Sequence, residues 1–207
     1  MLNKELHFPS VIYTVQKPEF LESVKQACHE GLGKAKQNKK HDDLYPVYMT
    51  DSLFEDERIE DLGNFIVTAG WDILKDQGYN TNGLNTFLTE LWCQEHGKHS
   101  LMEQHVHGMG AQIVGFYFID TPENCSKPVF YDPRPGKVQT NLPENNVNNL
   151  TPASQMANFK PVPGMLIFAN AWLPHSFTRH GSEEPIRFIH FSISAQYDTV
   201  QPAAEVI

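Results

Sequence analysis

The sequence predicts a mainly β fold, a sandwich or jelly roll with helices at its N-terminal end. Three observations predict it. From about residue 84 onward, some eight short apolar segments follow one another, broken by turn residues, with no helical pattern between them. Ahead of them, two stretches carry apolar residues at helical spacing. The 207 residues are 40% hydrophobic and 20% charged, which supports one large domain with a real core. The chain reads as a single domain over 1–207, with 1–83 mainly helical and 84–207 forming the β core.

The first helix is expected in "PEFLESVKQACHEGL". Phe20, Val24 and Cys28 fall at four-residue steps, and Pro18 suits a first helical turn. A second helix should start after "TDS", with Asp51 or Ser52 as its cap. Ile59, Leu62, Ile66, Ala69 and Ile73 then mark one face of it. The turn-rich "DQGYNTNG" ends it. The candidate strands are "LNTFLTELWCQE", "SLMEQHVHG", "AQIVGFYFID", "KPVFYDPRPG", "ANFKPVP", "GMLIFAN", "PHSFTRH" and "IRFIHFSISAQYD". Between the fourth and fifth lies "VQTNLPENNVNNLTPASQM", long and polar, which reads as a lid, a binding loop or a tolerated surface insertion.

Three features carry chemistry. His105 and His107 lie two residues apart on one predicted strand, so their side chains point to the same face and can grip one metal ion. His175 follows the strand "GMLIFAN". Two ligands on one strand and a third far downstream suit iron in a small barrel, where non-haem Fe(II) needs ligands on one side and open positions on the other. The third feature is Arg187. Alternation in "IRFIHFSI" places Arg187, Ile189, Phe191 and Ile193 on the more apolar face, expected to be the inward one, with His190 on the opposite face and outside the site. A guanidinium there needs an anion, either a protein carboxylate or a ligand carboxylate held in its fork. His96 and His99 read as loop residues, and Trp92 and Phe116 as core aromatics or pocket lining.

These residues bring a resemblance into view. From about Leu91 to Ala195, His105-Val106-His107, "GFYFI", "FYDPR", "PVPGMLIFAN", "LPHSF" and "RFIHFSI" occur in the order seen in the 2-oxoglutarate/Fe(II)-dependent dioxygenase superfamily. The pattern is most similar to small members from marine bacteria and their phages. The resemblance implies a double-stranded β-helix with flanking N-terminal helices, Fe(II) as metal and 2-oxoglutarate as cosubstrate. It implies that His175 is the distal iron ligand and that Arg187 binds the distal carboxylate of 2-oxoglutarate, with Tyr117 adding a hydrogen bond. It also implies oxidation of a C–H bond, by hydroxylation, on a small molecule or a protein side chain with dioxygen as oxidant. Most of the superfamily carries Asp or Glu where His107 stands. The expected metal set is His105, His107 and His175, with Asp132 of "FYDPR" as the alternative carboxylate ligand, unless Asp132 caps its turn or pairs with Arg134. Two rivals keep the fold but change the function. One is a three-histidine cupin-type iron dioxygenase that does not use 2-oxoglutarate, with Arg187 holding the substrate's own carboxylate. The other is a non-catalytic β-barrel binding module.

Composition narrows the partners. A net charge of −9 argues against a nucleic-acid surface, and the basic run "GKAKQNKKH" reads as a solvated helix end and loop. No apolar run approaches the ~20 residues that span a bilayer, and "MLNKELHFPSVIYTV" has no signal-peptide pattern. Cys28, Cys93 and Cys125 form no C-x-x-C pair and suit free thiols in a cytoplasmic, reducing setting.

Overall fold

A computed structural model describes residue 3 and residues 5–38, 46–138 and 142–197. The end of the basic run (39–41) and part of the long polar loop (139–141) lie outside the described residues. Strand β1 (Ile12–Gln16) leads through a 3-10 turn opened by Pro18 into helix α1 (Leu21–Asn38). Strand β2 (Val47–Met49) precedes helix α2 (Glu60–Asp76). Then come β3 (Leu84–His96), β4 (Met102–His105), β5 (Ala111–Asp120), β6 (Pro128–Tyr131), a single helical turn α3 (Pro135–Val138), β7 (Met156–Asn158), β8 (Met165–Asn170), β9 (His175–Phe177) and β10 (Ile186–Tyr197).

Each of the eight expected segments of the β region forms a strand. The strands make a six-stranded sheet, β1-β8-β5-β10-β3-β2, and a four-stranded sheet, β4-β9-β6-β7. The described strand pairs are antiparallel. Along the chain from β3, strands pass back and forth between the sheets, which is the winding of a double-stranded β-helix. The N-terminal portion is not purely helical. β1 and β2 form the two edges of the larger sheet, β1 along β8 and β2 along β3. The run Ile12-Tyr13-Thr14-Val15 has the β-branched and aromatic character that signals a strand.

The second helix starts later than the expected caps. Asp56 is the residue whose side chain accepts from the backbone N–H of Arg58, opening a 3-10 turn ahead of α2. The face read from the sequence holds: Ile59, Leu62, Ile66 and Ile73 are buried, with Ala69 packed against them. They join Val24, Cys28, Ile189, Phe191 and Ile193 in a core between the helices and the larger sheet. A second core fills the space between the sheets, with Phe116, Phe118, Phe130, Phe177 and Phe188. Phe177 and Phe188 stack at 4.8 Å between centroids. Cys28 and Cys93 are buried free thiols and Cys125 is half-buried and free.

The two cores settle which side of β10 faces inward. Both faces of this strand are buried, so apolarity alone did not decide it. Ile189, Phe191 and Ile193 lie under the helices, and Arg187 goes with them. The inward residues are Phe188, His190 and Ser192. Arg187 Nε donates to Glu95 (2.6 Å) and Nη1 to Asp120 (3.0 Å). Lys36 of α1 bridges to Glu95 at 2.7 Å, and Lys25 and His29 reach Asp120 at 3.0 and 2.9 Å. Five charged or polar side chains thus tie α1 to β3, β5 and β10 around Arg187.

Breaking one partner of such a pair leaves a charge in a poor solvent. Arg187→Met should lower unfolding free energy by about 3 kcal/mol in urea titrations. Asp120 supplies a pH test. Against burial, which raises its pKa, hydrogen bonds from His29, Arg187 and Lys25 hold the pKa down at about 2. A carboxylate depressed on folding stabilises fully above its unfolded value, near 3.9, and loses that contribution as pH falls through its folded value. The stability difference between the wild type and Asp120→Asn should therefore be full at pH above about 5 and shrink steadily toward about pH 2.

Candidate metal centre

His105 ends β4 and His175 begins β9, and the two sit directly opposite each other in the smaller sheet. His107 lies just past the strand, where its backbone N–H donates to the Ala171 carbonyl at 2.9 Å. The intervening Val106 points to solvent, as alternation requires. The ring centroids are 4.5 Å apart for His105 and His175, 5.1 Å for His105 and His107, and 5.2 Å for His107 and His175. One nitrogen from each ring lies within 4.8 Å of the others, a group able to hold one metal ion.

Two local contacts aim these rings. His105 Nδ1 bonds the Glu103 carbonyl at 2.8 Å, and His175 Nδ1 bonds the Leu173 carbonyl at 3.0 Å. A carbonyl only accepts, so Nδ1 carries the proton in both rings and Nε2 keeps its lone pair. His175 Nε2 and His107 Nε2 are buried without a hydrogen-bond partner. A buried polar atom left this way costs about 1–3 kcal/mol and calls for an explanation. Burial pushes the pKa of His175 down to about 3 and that of His107 down to about 4, so both imidazoles are neutral near pH 7. Neutral imidazoles with free, converging Nε2 atoms are what a divalent first-row metal binds. The residues fit Fe(II).

The wall opposite comes from β3, β10 and β5. Trp92, His190 and Phe116 lie in one register row across these strands, and Glu90, Ser192 and Val114 in the next. His190 stacks on His107 at 5.0 Å and on Trp92 at 4.7 Å. Phe116 and Phe130 contact His175 at 5.7 and 5.8 Å. Glu90 accepts from Ser192 Oγ at 2.5 Å and meets His190 Nε2 at 3.2 Å. The His190 hydrogen bond leads in holding the Glu90 carboxyl down at about 2. Beyond Phe130, an open cleft of about 420 Å³ runs between residues 6–12 and the smaller sheet, bordered by Phe8, Ile12, Tyr131, Pro152 and Met156.

The sequence-derived site is only partly assembled. His105, His107 and His175 come together. Asp132 does not join them. Arg134 holds its carboxylate through Nε (2.9 Å) and Nη2 (2.6 Å) at the edge of the cleft. Arg187 and Tyr117 lie on the helix side of the larger sheet, and Tyr117 donates to the Lys17 carbonyl at 2.8 Å. His96 is no loop residue. It ends β3, fully buried, against Phe177 and Phe188. His190, set aside on the sequence, faces the centre, and so does Glu90. The signal for both was the alternation of ring-bearing and polar residues, Glu90-x-Trp92-x-Gln94-x-His96 on β3 against Phe188-x-His190-x-Ser192 on β10.

Residues 90–192, about half of the chain, match the family model described as "Putative 2OG-Fe(II) oxygenase". No curated protein sequence matches the chain. Among solved structures, it is similar to the non-haem alpha-ketoglutarate-dependent carbocyclase SnoK from nogalamycin biosynthesis (TM-score 0.63, 10% identity, 91% of this chain and 82% of that one). It is also similar to a Pseudomonas putida prolyl-4-hydroxylase (0.58, 9%, 89% and 92%). A third is HygX from Streptomyces hygroscopicus, solved with nickel, 2-oxoglutarate and hygromycin B (0.57, 13%, 89% and 83%). At these identities the likeness establishes the double-stranded β-helix, and the family model adds the chemistry. Among the described residues no helix is long and apolar enough to cross a membrane. The chain belongs to the 2-oxoglutarate/Fe(II)-dependent oxygenases, with Fe(II) as its metal and 2-oxoglutarate as its cosubstrate.

Proposed function

We propose that His105, His107 and His175 hold the iron and that the reaction is hydroxylation of a C–H bond in a small molecule or a protein side chain. One observation carries the ligand assignment: two of the three imidazoles keep a buried Nε2 with no partner, beside the third. Three side-chain ligands leave positions open for other molecules, unlike a closed structural site. Bound there, Fe(II) supplies the centre at which 2-oxoglutarate is decarboxylated to succinate by dioxygen.

The chain's own residues prepare that centre. The Glu103 and Leu173 carbonyls fix two rings in rotation and tautomer before any metal arrives. Phe116, Phe130 and Phe177 exclude bulk water from one side of it. The cleft beyond Phe130 offers the target an approach from the open edge of the barrel, over a mostly apolar surface that also carries the Asp132–Arg134 pair. The neighbours' range, from a carbocyclase to a prolyl hydroxylase, belongs to those proteins.

The ligand set is tested by metal content. His107→Ala and His175→Ala should each lose most Fe(II) in anaerobic equilibrium dialysis, while Asp132→Asn keeps it. Retention by His107→Ala together with loss from Asp132→Asn would return the site to two histidines and one carboxylate. Turnover is tested by supplying Fe(II), 2-oxoglutarate and oxygen. Succinate should form slowly without a target, and His175→Ala should reduce its rate by at least about a hundredfold, the order expected from losing several kcal/mol of stabilisation. Iron binding with no succinate under any condition would sink the 2-oxoglutarate step and favour a direct three-histidine dioxygenase.

A further inference from the structure

The three histidines of the centre differ in what holds their outer nitrogen. For His105 and His175 it is a backbone carbonyl. For His107 it is a side chain, with Nδ1 3.7 Å from Glu90 Oε2. The same oxygen takes the hydrogen bond of Ser192 Oγ and meets His190 Nε2. Three groups from β10 and from the end of β4 thus converge on one carboxylate oxygen of β3. His107 Nε2, the opposite nitrogen of that ring, is the buried atom without a partner.

Resting on the ligand set above, we propose that Glu90 is a positioning residue: its carboxylate holds His107 as the Nδ1–H tautomer and turns Nε2 toward the metal, while Ser192 and His190 fix the carboxylate. The chemistry follows from the donors. An ionised carboxylate only accepts, so the facing ring nitrogen must carry the proton. A carboxylate behind a metal-bound imidazole also makes the imidazole a better ligand. The 3.7 Å gap exceeds a hydrogen bond, and a small turn of either side chain closes it. Backbone carbonyls orient the other two rings whatever the side chains do. His107 lies past the end of β4, and among the described residues the group facing its Nδ1 is Glu90 rather than a backbone carbonyl. The wall residue His190 contributes through Glu90 and through its stack on the His107 ring.

Glu90, His107 and His190 also lie close enough to form a metal group of their own, so the experiment must separate a positioning carboxylate from a ligand. Two readouts do so. Long-range proton–nitrogen NMR on metal-free protein near neutral pH reads the His107 tautomer, and visible absorption during Co(II) titration reads affinity. The wild type should show His107 protonated on Nδ1. Glu90→Ala should shift His107 toward the Nε2–H form and weaken Co(II) binding by roughly 10- to 100-fold. Glu90→Gln keeps an accepting oxygen and should restore the tautomer and most of the affinity. Finding Nε2–H in the wild type overturns the proposal without any variant. So does an unchanged tautomer in folded Glu90→Ala. Loss of Co(II) from Glu90→Gln as deep as from Glu90→Ala, with His107 still protonated on Nδ1, makes Glu90 a ligand and also overturns it. The underlying ligand set fails separately, if His175→Ala binds Co(II) as the wild type does, and the tautomer still reports on Glu90.

Discussion

Strand β10 is the constraint on which this molecule turns. It is paired on both sides, to β3 and to β5, over most of its twelve residues, and it is buried on both faces. Every second side chain packs under the helices, and every other one enters the space between the sheets. A slip of one residue would exchange the two sets. Arg187 would then enter a space filled with phenylalanine, and Ile189 would take the place of His190 beside the histidines. The pairing of Arg187 with Glu95 and Asp120 holds the strand in the observed register, because neither the guanidinium nor the carboxylates have a better place to go.

That register separates two kinds of electrostatics across one sheet. On the helix side, charges are paired directly: Arg187, Lys25 and Lys36 against Glu95 and Asp120. Between the sheets, the imidazoles of His105, His107, His175 and His190 gather with the carboxylate of Glu90 at their margin. Histidine is suited to the second environment because burial removes its proton and leaves a lone pair. The cost of burying those nitrogens unpaired is offset when a metal takes them. The aromatic filling behind them, above all the Phe177–Phe188 stack, leaves little room for rearrangement and so keeps the rings where the strands put them.

The smaller sheet brings His105, His107 and His175 together, and the larger sheet provides the wall they face. His105 and His175 meet because β4 and β9 are neighbours, though they stand seventy positions apart in the sequence. His107 reaches the same place because the chain beyond β4 is tied to Ala171, just past the end of β8. The cleft on the far side of Phe130 is formed by segments distant in sequence, residues 6–12 and 150–157. The long polar loop between β6 and β7 therefore borders a surface near the metal centre.

Much of this could be read from the residues alone. Eight strands followed from period-two runs between turn residues, and the buried face of α2 followed from the three- and four-residue steps of Ile59, Leu62, Ile66 and Ile73. His105 and His107 were legible as a pair because alternation along a strand is a local property. What the chain could not show locally was the inside of β10. A strand covered by helices on one face and by a second sheet on the other is apolar on both, so the more apolar side need not be the barrel's interior. That placed Arg187 and Tyr117 beneath the helices and brought His190 and Glu90 to the centre. Asp132 pairs with a neighbour two residues away, Arg134, whose fork closes on it. The sequence by itself determined which side chains could hold a metal and in what order the strands come. Only the tertiary structure decided which of them meet, because burial on two sides hides direction and pairing between distant strands sets distance.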